Sequence, residues 1–418
     1  MRDVLPGTGC VSDIRATGVA EEAGAAPGAH RFYRPLTGPR TTFRKLRVGS
    51  GASVTCGLSM VDTMALLHAF TRTSRARDKR TGTPLPPAQA ALPADDEVLL
   101  DVPDEALGRA LVGAAAGDHA PAAELLVATR RQAAWEHRDR YVRRLAAFAR
   151  SRPEWLDAWR ARAPRDADAL LVDAQRAVDR VWDSPARAEL LREVSPLITA
   201  AARADHRDPV PWRLALDHAR GARAGHTYFE ELWEAAVRRA PHHHGCHVAA
   251  LRYLASSWHG SHRECFDFAD TAAQDAPEGS LTQALPLRAA FGYLTDGCGP
   301  AVERARLDAA ADRAAALSAR LPSAQPWPAE LRNLLAHVLV RLGRRRDALE
   351  QFRLTGPYAT SFPWDRDADD PLGRFLEVRQ EVLRAVASGA DTTGTDAFGA
   401  GPGRPVSERR GRSEPGGH

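Results

Sequence analysis

The chain has 418 residues, 44% of them hydrophobic, and no apolar run approaches the roughly 18 residues that a membrane-spanning helix needs. Its 57 basic and 53 acidic side chains leave a net charge of +4, but the excess is local: residues 1–92 carry 13 Lys/Arg against 6 Asp/Glu, the remainder 44 against 47. A nucleic-acid binder carries its basic excess on the folded part, so composition argues against nucleic acid and membrane as partners.

Residues 1–58 are rich in Gly, Pro, Ser and Thr and show no sustained period. Methionine occurs only at Met1, Met60 and Met64, and all nine tryptophans lie between Trp135 and Trp364. Residues 1–94 therefore read as a disordered leader and linker, with Met60 or Met64 as an alternative true start, and the linker composition of "TGTPLPPAQAALPADDE" runs over residues 81–97. Residues 95–390 read as a helical domain and 391–418 as a Gly-rich disordered tail. The five cysteines (Cys10, Cys56, Cys246, Cys265, Cys298) are odd in number and include no CxxC pair. Without a signal-peptide pattern, reduced thiols in the cytoplasm are expected.

Within 95–390 nearly every segment has helical periodicity. In "AELLVATRRQAAWEHRDRYVRRLAAFARSRP", Trp135, Tyr141, Leu145 and Phe148 recur at spacings near 3, 4 and 7. Alternating β-branched runs are almost missing, so the expected class is all-α. A repeat emerges where Ala204-Asp205, Ala240-Pro241 and Ala276-Pro277 close similar helices at 36-residue steps. Leu251-Arg252 is echoed 36 residues on by Leu287-Arg288. A two-helix period of about 34–36 residues is that of a tetratricopeptide-type array, in which each hairpin buries its apolar face against the next. In "LLAHVLVRLGRRRDALEQF", Leu335 and Ala336, the Leu342-Gly343 turn, then Ala348 and Phe352 resemble the tetratricopeptide pattern closely. Elsewhere the match is degenerate. The stretches "DPVPWRLALDHARG", "RAPHHHGCHVAALRYLASSWHGSHRECFDFA", "APEGSLTQALPL" and "FPWDRDADDPLGRFLEVR" resemble an actinobacterial helical-repeat family of unknown function. The resemblance spans about residues 120–387. It implies a tetratricopeptide-like helical-hairpin array, an α-solenoid, and implies no activity.

The segment "HHHGCHVAALRYLASSWHGSHREC" holds six histidines and two cysteines within residues 242–265. A helix over 245–257 spans about 18–20 Å, so Cys246 and His247 cannot share a metal with the far end. Only His259, His262 and Cys265 remain as a candidate ligand trio. Cys265 also falls in register with Phe268, Ala269 and Ala272, which favours a buried structural thiol. Gly260 is expected as a left-handed helix end, with Ser261 and Glu264 as a capping box.

No nucleophile elbow, HExxH helix, phosphate loop or dinucleotide fingerprint occurs. The acidic runs "ADDE", "FEELWE" and "DRDADD" lack an identifiable partner base, and read as solvated faces or ion pairs. Trp155, Trp159, Trp212, Trp233 and Trp258 read as packing groups with their indole N–H bonded to backbone carbonyls. The long loop "SFPWDRDADDPLG" reads as a lid or as a cap anchored by Phe375 and Leu376.

Two readings of function follow. The first is a non-enzymatic scaffold that binds a protein, a peptide or another copy of itself, with no cofactor. First helices near 210–223, 245–257 and 281–294 would line its concave face, exposing Arg213, Asp217, Arg220, His247, Arg252 and Arg288. The alternative is a metal-dependent or otherwise unrecognised enzyme centred on the 259–265 turn.

Overall fold

A computed structural model describes residues 92–296, 300–323 and 326–389 of the chain. The leader up to residue 91, the tail from 390, and Cys10, Cys56 and Cys298 lie outside the described residues. Among those described, the chain forms sixteen α-helices and one two-stranded parallel pair. No described helix is long and apolar enough to cross a membrane.

The chain divides into two compact units. Unit 1 comprises Pro103–Ala289 with residues 300–301, and unit 2 comprises residues 92–102, 290–296 and the described residues from 302 onward. Unit 1 runs through α1 (Glu105–Ala115), α2 (Ala120–Arg131), α3 (Trp135–Ser151), α4 (Glu154–Arg162), α5 (Ala167–Val181), α6 (Arg187–Ala204), α7 (Val210–Gly221), α8 (His226–Arg239), α9 (His244–Tyr253) and α10 (His262–Asp275). A 3-10 turn, Leu281–Ala284, leads into α11 (Leu285–Asp296), which begins in unit 1 and ends in unit 2. Unit 2 continues with α12 (Arg304–Arg320), α13 (Pro326–Arg341), α14 (Arg345–Thr355), α15 (Ser361–Trp364) and α16 (Pro371–Ala387).

Local chemistry sets the helix starts. Asp104 accepts from the Ala106 and Leu107 N–H groups, and Asp166 from those of Asp168 and Ala169, satisfying donors that the first turn leaves open. The helices expected to close at 204–205, 240–241 and 276–277 end at Ala204, Arg239 and Asp275. In unit 1, α5 packs on α6, α7 on α8, and α9 on α8 and α10, while α3 reaches α5, α7 and α9. Its core includes Leu145, Trp155, Leu171, Leu191 and Leu214, each almost fully buried.

Unit 2 contains the segment closest to the tetratricopeptide pattern. There α13 and α14 form a hairpin around Gly343, whose φ of +75° is the left-handed value expected of it. Ala336, Ala348 and Phe352 are buried along that hairpin. The linker expected to extend to residue 97 is folded at its end. Asp95 pairs with Arg379, Val98 is buried, and Leu99–Leu100 (β1) pairs in parallel with Tyr358–Ala359 (β2). The long loop is a packed cap: Trp364 is fully buried between Phe352 and Phe375, and its indole donates to the Asn333 side chain at 2.8 Å.

Candidate functional site

Unit 1 is threaded by buried charge. Arg138 on α3 is fully buried and bonds to Asp208 (2.5 Å), to Asp168 (2.6 Å) and to the Leu126 carbonyl (2.9 Å), so one side chain ties the middle of α2 to the starts of α5 and α7. The next residue, Asp139, meets Arg213 of α7 at 2.7 Å, and Arg213 also donates to Gln175 of α5 at 2.6 Å. Burial raises the Asp139 pKa, but the Arg143 and Arg213 guanidiniums outweigh it and hold the carboxyl far below its ordinary range.

The N-terminal ends of α3 and α9 meet. Glu136 accepts the His244 N–H at 2.7 Å, and a Cβ on Gly245 would run into the Asp139 carboxylate. His243 caps α9: its Nδ1 accepts the Cys246 N–H and lies 3.2 Å from the Cys246 Sγ. Its Nε2 lies 3.7 Å from a Glu136 oxygen. Thiol, imidazole and carboxyl therefore stand in a line, as in a cysteine nucleophile site. Their environment opposes that chemistry. Cys246 is fully enclosed and His243 only 3% exposed. Burial drives the thiol well above its ordinary pKa and the imidazole down to about 4, so neither carries charge at neutral pH. The line is a helix cap inside a core.

Further along the same helices, charged side chains remain partly exposed and close enough to perturb one another. They are Arg143 on α3, Asp179 on α5, Asp217 on α7, Arg252 on α9 and Arg288 on α11. Burial raises Asp179 to about 6, against the Gln175 hydrogen bond and the fields of Arg213, Arg150 and Arg143. Burial also raises Asp217, but Arg220, Arg252, Arg213 and Arg143 together hold it low. Arg252 is lowered to about 9 by burial, opposed by Asp217 and reinforced by Arg220, Arg143 and Arg288. Arg252 differs from the other inner arginines in making no hydrogen bond or ion pair among the described residues.

Of the six residues expected to be exposed on the concave face, only Asp217, Arg252 and Arg288 retain partial exposure. Arg213 is consumed by Asp139, because α3 covers that end of the face. Arg220 is buried, its guanidinium stacked on Trp182 (4.5 Å) and Trp258 (4.8 Å). His247 is buried edge-to-face with Trp233 and beside the tilted ring of Phe268, with Nδ1 on the His243 carbonyl at 2.9 Å. The residues that sequence reasoning missed are Glu136, Arg143 and Asp179. The charged positions along α3 were visible as a polar stripe, but nothing in sequence placed that stripe against α9.

The candidate metal trio is not assembled. His259 stacks on Tyr253, the His262 Nε2 lies 3.2 Å from the Ser256 hydroxyl, and the Cys265 Sγ donates to the Leu251 carbonyl at 3.6 Å. Among the described residues no group of three His, Cys, Asp or Glu side chains is placed to hold a metal. Ser261 caps α10 as expected, accepting the Glu264 N–H at 3.2 Å. Gly260 is not left-handed; it is required because a Cβ there would collide with the Leu254 carbonyl. The helix expected to reach residue 257 stops at Tyr253, and the chain folds back over its end. Two indoles also depart from expectation: Trp155 and Trp212 have buried N–H groups with no hydrogen-bond partner, and Trp212 instead packs under Arg239 at 4.1 Å.

No protein-family model, curated protein or solved structure matches the chain.

Proposed function

We propose that the protein is a non-enzymatic, cytoplasmic helical-repeat scaffold, a tetratricopeptide-like array that holds a peptide or protein segment in the charged cleft of unit 1. One observation carries this reading: α3, α5, α7, α9 and α11 each contribute a partly exposed charged residue to one mutually interacting set. Enclosed polar groups that still touch solvent are what a binding cleft uses to fix the orientation of a ligand. The partner is a protein, a peptide or a second copy of the chain, with no nucleic acid.

The test is site-specific photocrosslinking of the full chain in the cells that make it. A benzophenone side chain at Arg150, exposed and within electrostatic range of Asp179, probes the cleft. One at Glu234, on α8 with its side chain 71% exposed, is the control. A defined adduct from Arg150 that is missing from Glu234 supports the scaffold. Equal adducts from both positions, or none from Arg150, overturn it.

A further inference from the structure

Unit 2 holds a segment of its own chain as a groove holds a peptide. Asp95 stands 284 residues before Arg379 of α16, and the two side chains pair. Val98 is buried. The Leu99 N–H donates to the Pro357 carbonyl at 2.8 Å and the Asp101 N–H to the Ala359 carbonyl at 2.9 Å, which seats β1 beside β2. The Asp101 carboxylate accepts the Ser361 N–H at 3.0 Å and its hydroxyl at 2.5 Å. A charge at each end, a sunken apolar side chain and main-chain hydrogen bonds between them are how a peptide adds to the edge of a strand.

The seat depends on what fills it. Arg379 is 2% exposed and lies over the Phe375 ring, and its Nε and Nη1 have no hydrogen-bond partner, so Asp95 is what balances it. Vacating the seat would leave a buried cation uncompensated, which is strongly unfavourable. The segment is joined to α1 by Val102, Pro103 and Asp104. Val102 precedes a proline and is thereby held to extended backbone, and Asp104 is extended as well (φ −117°, ψ 108°). Every contact named above runs from residues 95–101 to unit 2. New torsions in the three link residues therefore suffice to place the segment of one chain on the unit 2 of another with each contact kept.

We propose that this seat is a binding site for a second copy of the chain, which inserts its residues 95–101 while its own unit 2 receives the same segment in return. A copy is the occupant because it carries the pattern the seat requires: Asp95, Val98 and Asp101 at three-residue steps, with Leu99-Leu100 forming the strand. Reciprocal exchange uses both seats and both segments, so assembly stops at the dimer. The site lies in unit 2 and does not rest on the charged set of unit 1.

The experiment is a charge swap between two full chains that carry different affinity tags and are made in one cell. One chain carries Asp95→Lys and the other Arg379→Glu. Within either chain alone the seat meets a like charge. In the exchanged pair one seat regains the native contact and the other its reversed form. Purification through the first tag should recover the second chain about tenfold or more above either variant paired with its own copy, and above the wild-type pair, because exchange alone relieves both repulsions. The recovered species should have twice the 45.3 kDa mass of the chain. Both changes in one chain restore the contact internally, and that chain should co-purify with its own copy as wild type does. Equal recovery in every combination means that copies meet at another surface and overturns the proposal. No recovery of the complementary pair, or of the wild-type pair, overturns it as well. Should Arg379→Glu not accumulate even beside its complement, one chain carries Asp101→Cys and the other Ser361→Cys. A disulfide joining the two tags then supports exchange, and unjoined chains overturn it. The Arg150 crosslink reads unit 1, so the two readings fail separately.

Discussion

Arg138 and Asp208 are separated by 70 residues of chain and by 2.5 Å in the folded protein, and neither side chain is more than 1% exposed. The pair joins α3 to the start of α7, and the second arm of the guanidinium joins α3 to α5 through Asp168. Arg138→Met should therefore lower stability by about 3–5 kcal/mol, because two buried carboxylates lose their main counter-charge. Urea unfolding measures this. Adding Asp208→Asn to Arg138→Met should recover part of the loss, whereas independent contributions would make the double variant worse.

Glu136 gives stability a specific pH dependence. Its folded pKa is raised from 4.5 to about 7, mainly by burial. Between those values the folded protein holds a proton that the unfolded chain has released, so this group makes stability fall as pH rises through the window. Glu136→Gln keeps an acceptor for the His244 N–H and does not titrate. The variant should match wild type near pH 4.5 and exceed it by about 1–3 kcal/mol at pH 8. The comparison is of unfolding midpoints at the two pH values.

His247 acts with the opposite sign. Its pKa is lowered from 6.5 to about 4, mainly by burial, with the His243 carbonyl opposing. Below pH 6.5 the unfolded chain takes a proton that the folded state refuses, so stability is lost as pH falls from 6.5 towards 4. His247→Phe keeps an aromatic ring against Trp233 and Phe268. It should flatten the loss between pH 6.5 and 4.5 by about 2 kcal/mol, measured from denaturation curves against wild type.

The turn after α9 separates steric from capping effects. Ser261→Ala removes the acceptor for the Glu264 N–H and should cost about 0.5–2 kcal/mol. Gly260→Ala should cost more, since its methyl has only the fixed Leu254 backbone to meet. Cys265→Ser would be expected to cost more than Cys265→Ala if the hydroxyl were stranded. The Leu251 carbonyl that receives the thiol is available to the hydroxyl, so the two changes should instead cost similar amounts. Melting temperatures of the four variants check the ranking.

Starting the chain at residue 103 should destabilise unit 2, although residues up to 97 look like linker. Truncation there deletes β1, the Asp95–Arg379 pair, and the Asp101 carboxylate that receives the Ser361 N–H and hydroxyl. Differential scanning calorimetry of chains starting at residues 92 and 103 should show the lower transition in the shorter one. Coincident melts would mean that these contacts contribute nothing.

The helices and their ends were legible because they are local: apolar periodicity, caps such as Ser261, and the left-handed Gly343 are written within a few residues of the feature they produce. The charged set of unit 1 was half legible. Arg252 and Arg288 stood out through their 36-residue step, and both keep partial exposure. Arg213 had the same appearance in sequence and is buried, because its partner Asp139 lies 74 residues away on a helix that packs across it. A helical pattern separates polar from apolar positions, but it does not distinguish a polar group facing water from one facing a buried opposite charge. Strand β1 was missed for a related reason. Two leucines at 99–100 carry no alternation, and their register with Tyr358–Ala359 depends on chain made much later.

That last pairing constrains how the protein is made. Asp101 leaves the ribosome 260 residues before Ser361, its hydrogen-bond partner. At about 5–20 residues per second, synthesis leaves the first strand waiting on the order of 13–50 s while all of unit 1 emerges behind it. Among the described residues, unit 1 is continuous from Pro103 to Ala289 apart from residues 300–301, so it can collapse during translation. Unit 2 is split around it and can close only after the chain has passed residue 361. During that interval Leu99 and Leu100 form an unpaired apolar edge of the kind that chaperones capture. Slowed elongation between residues 290 and 360 would prolong that exposure, while the same pause would leave unit 1 untouched.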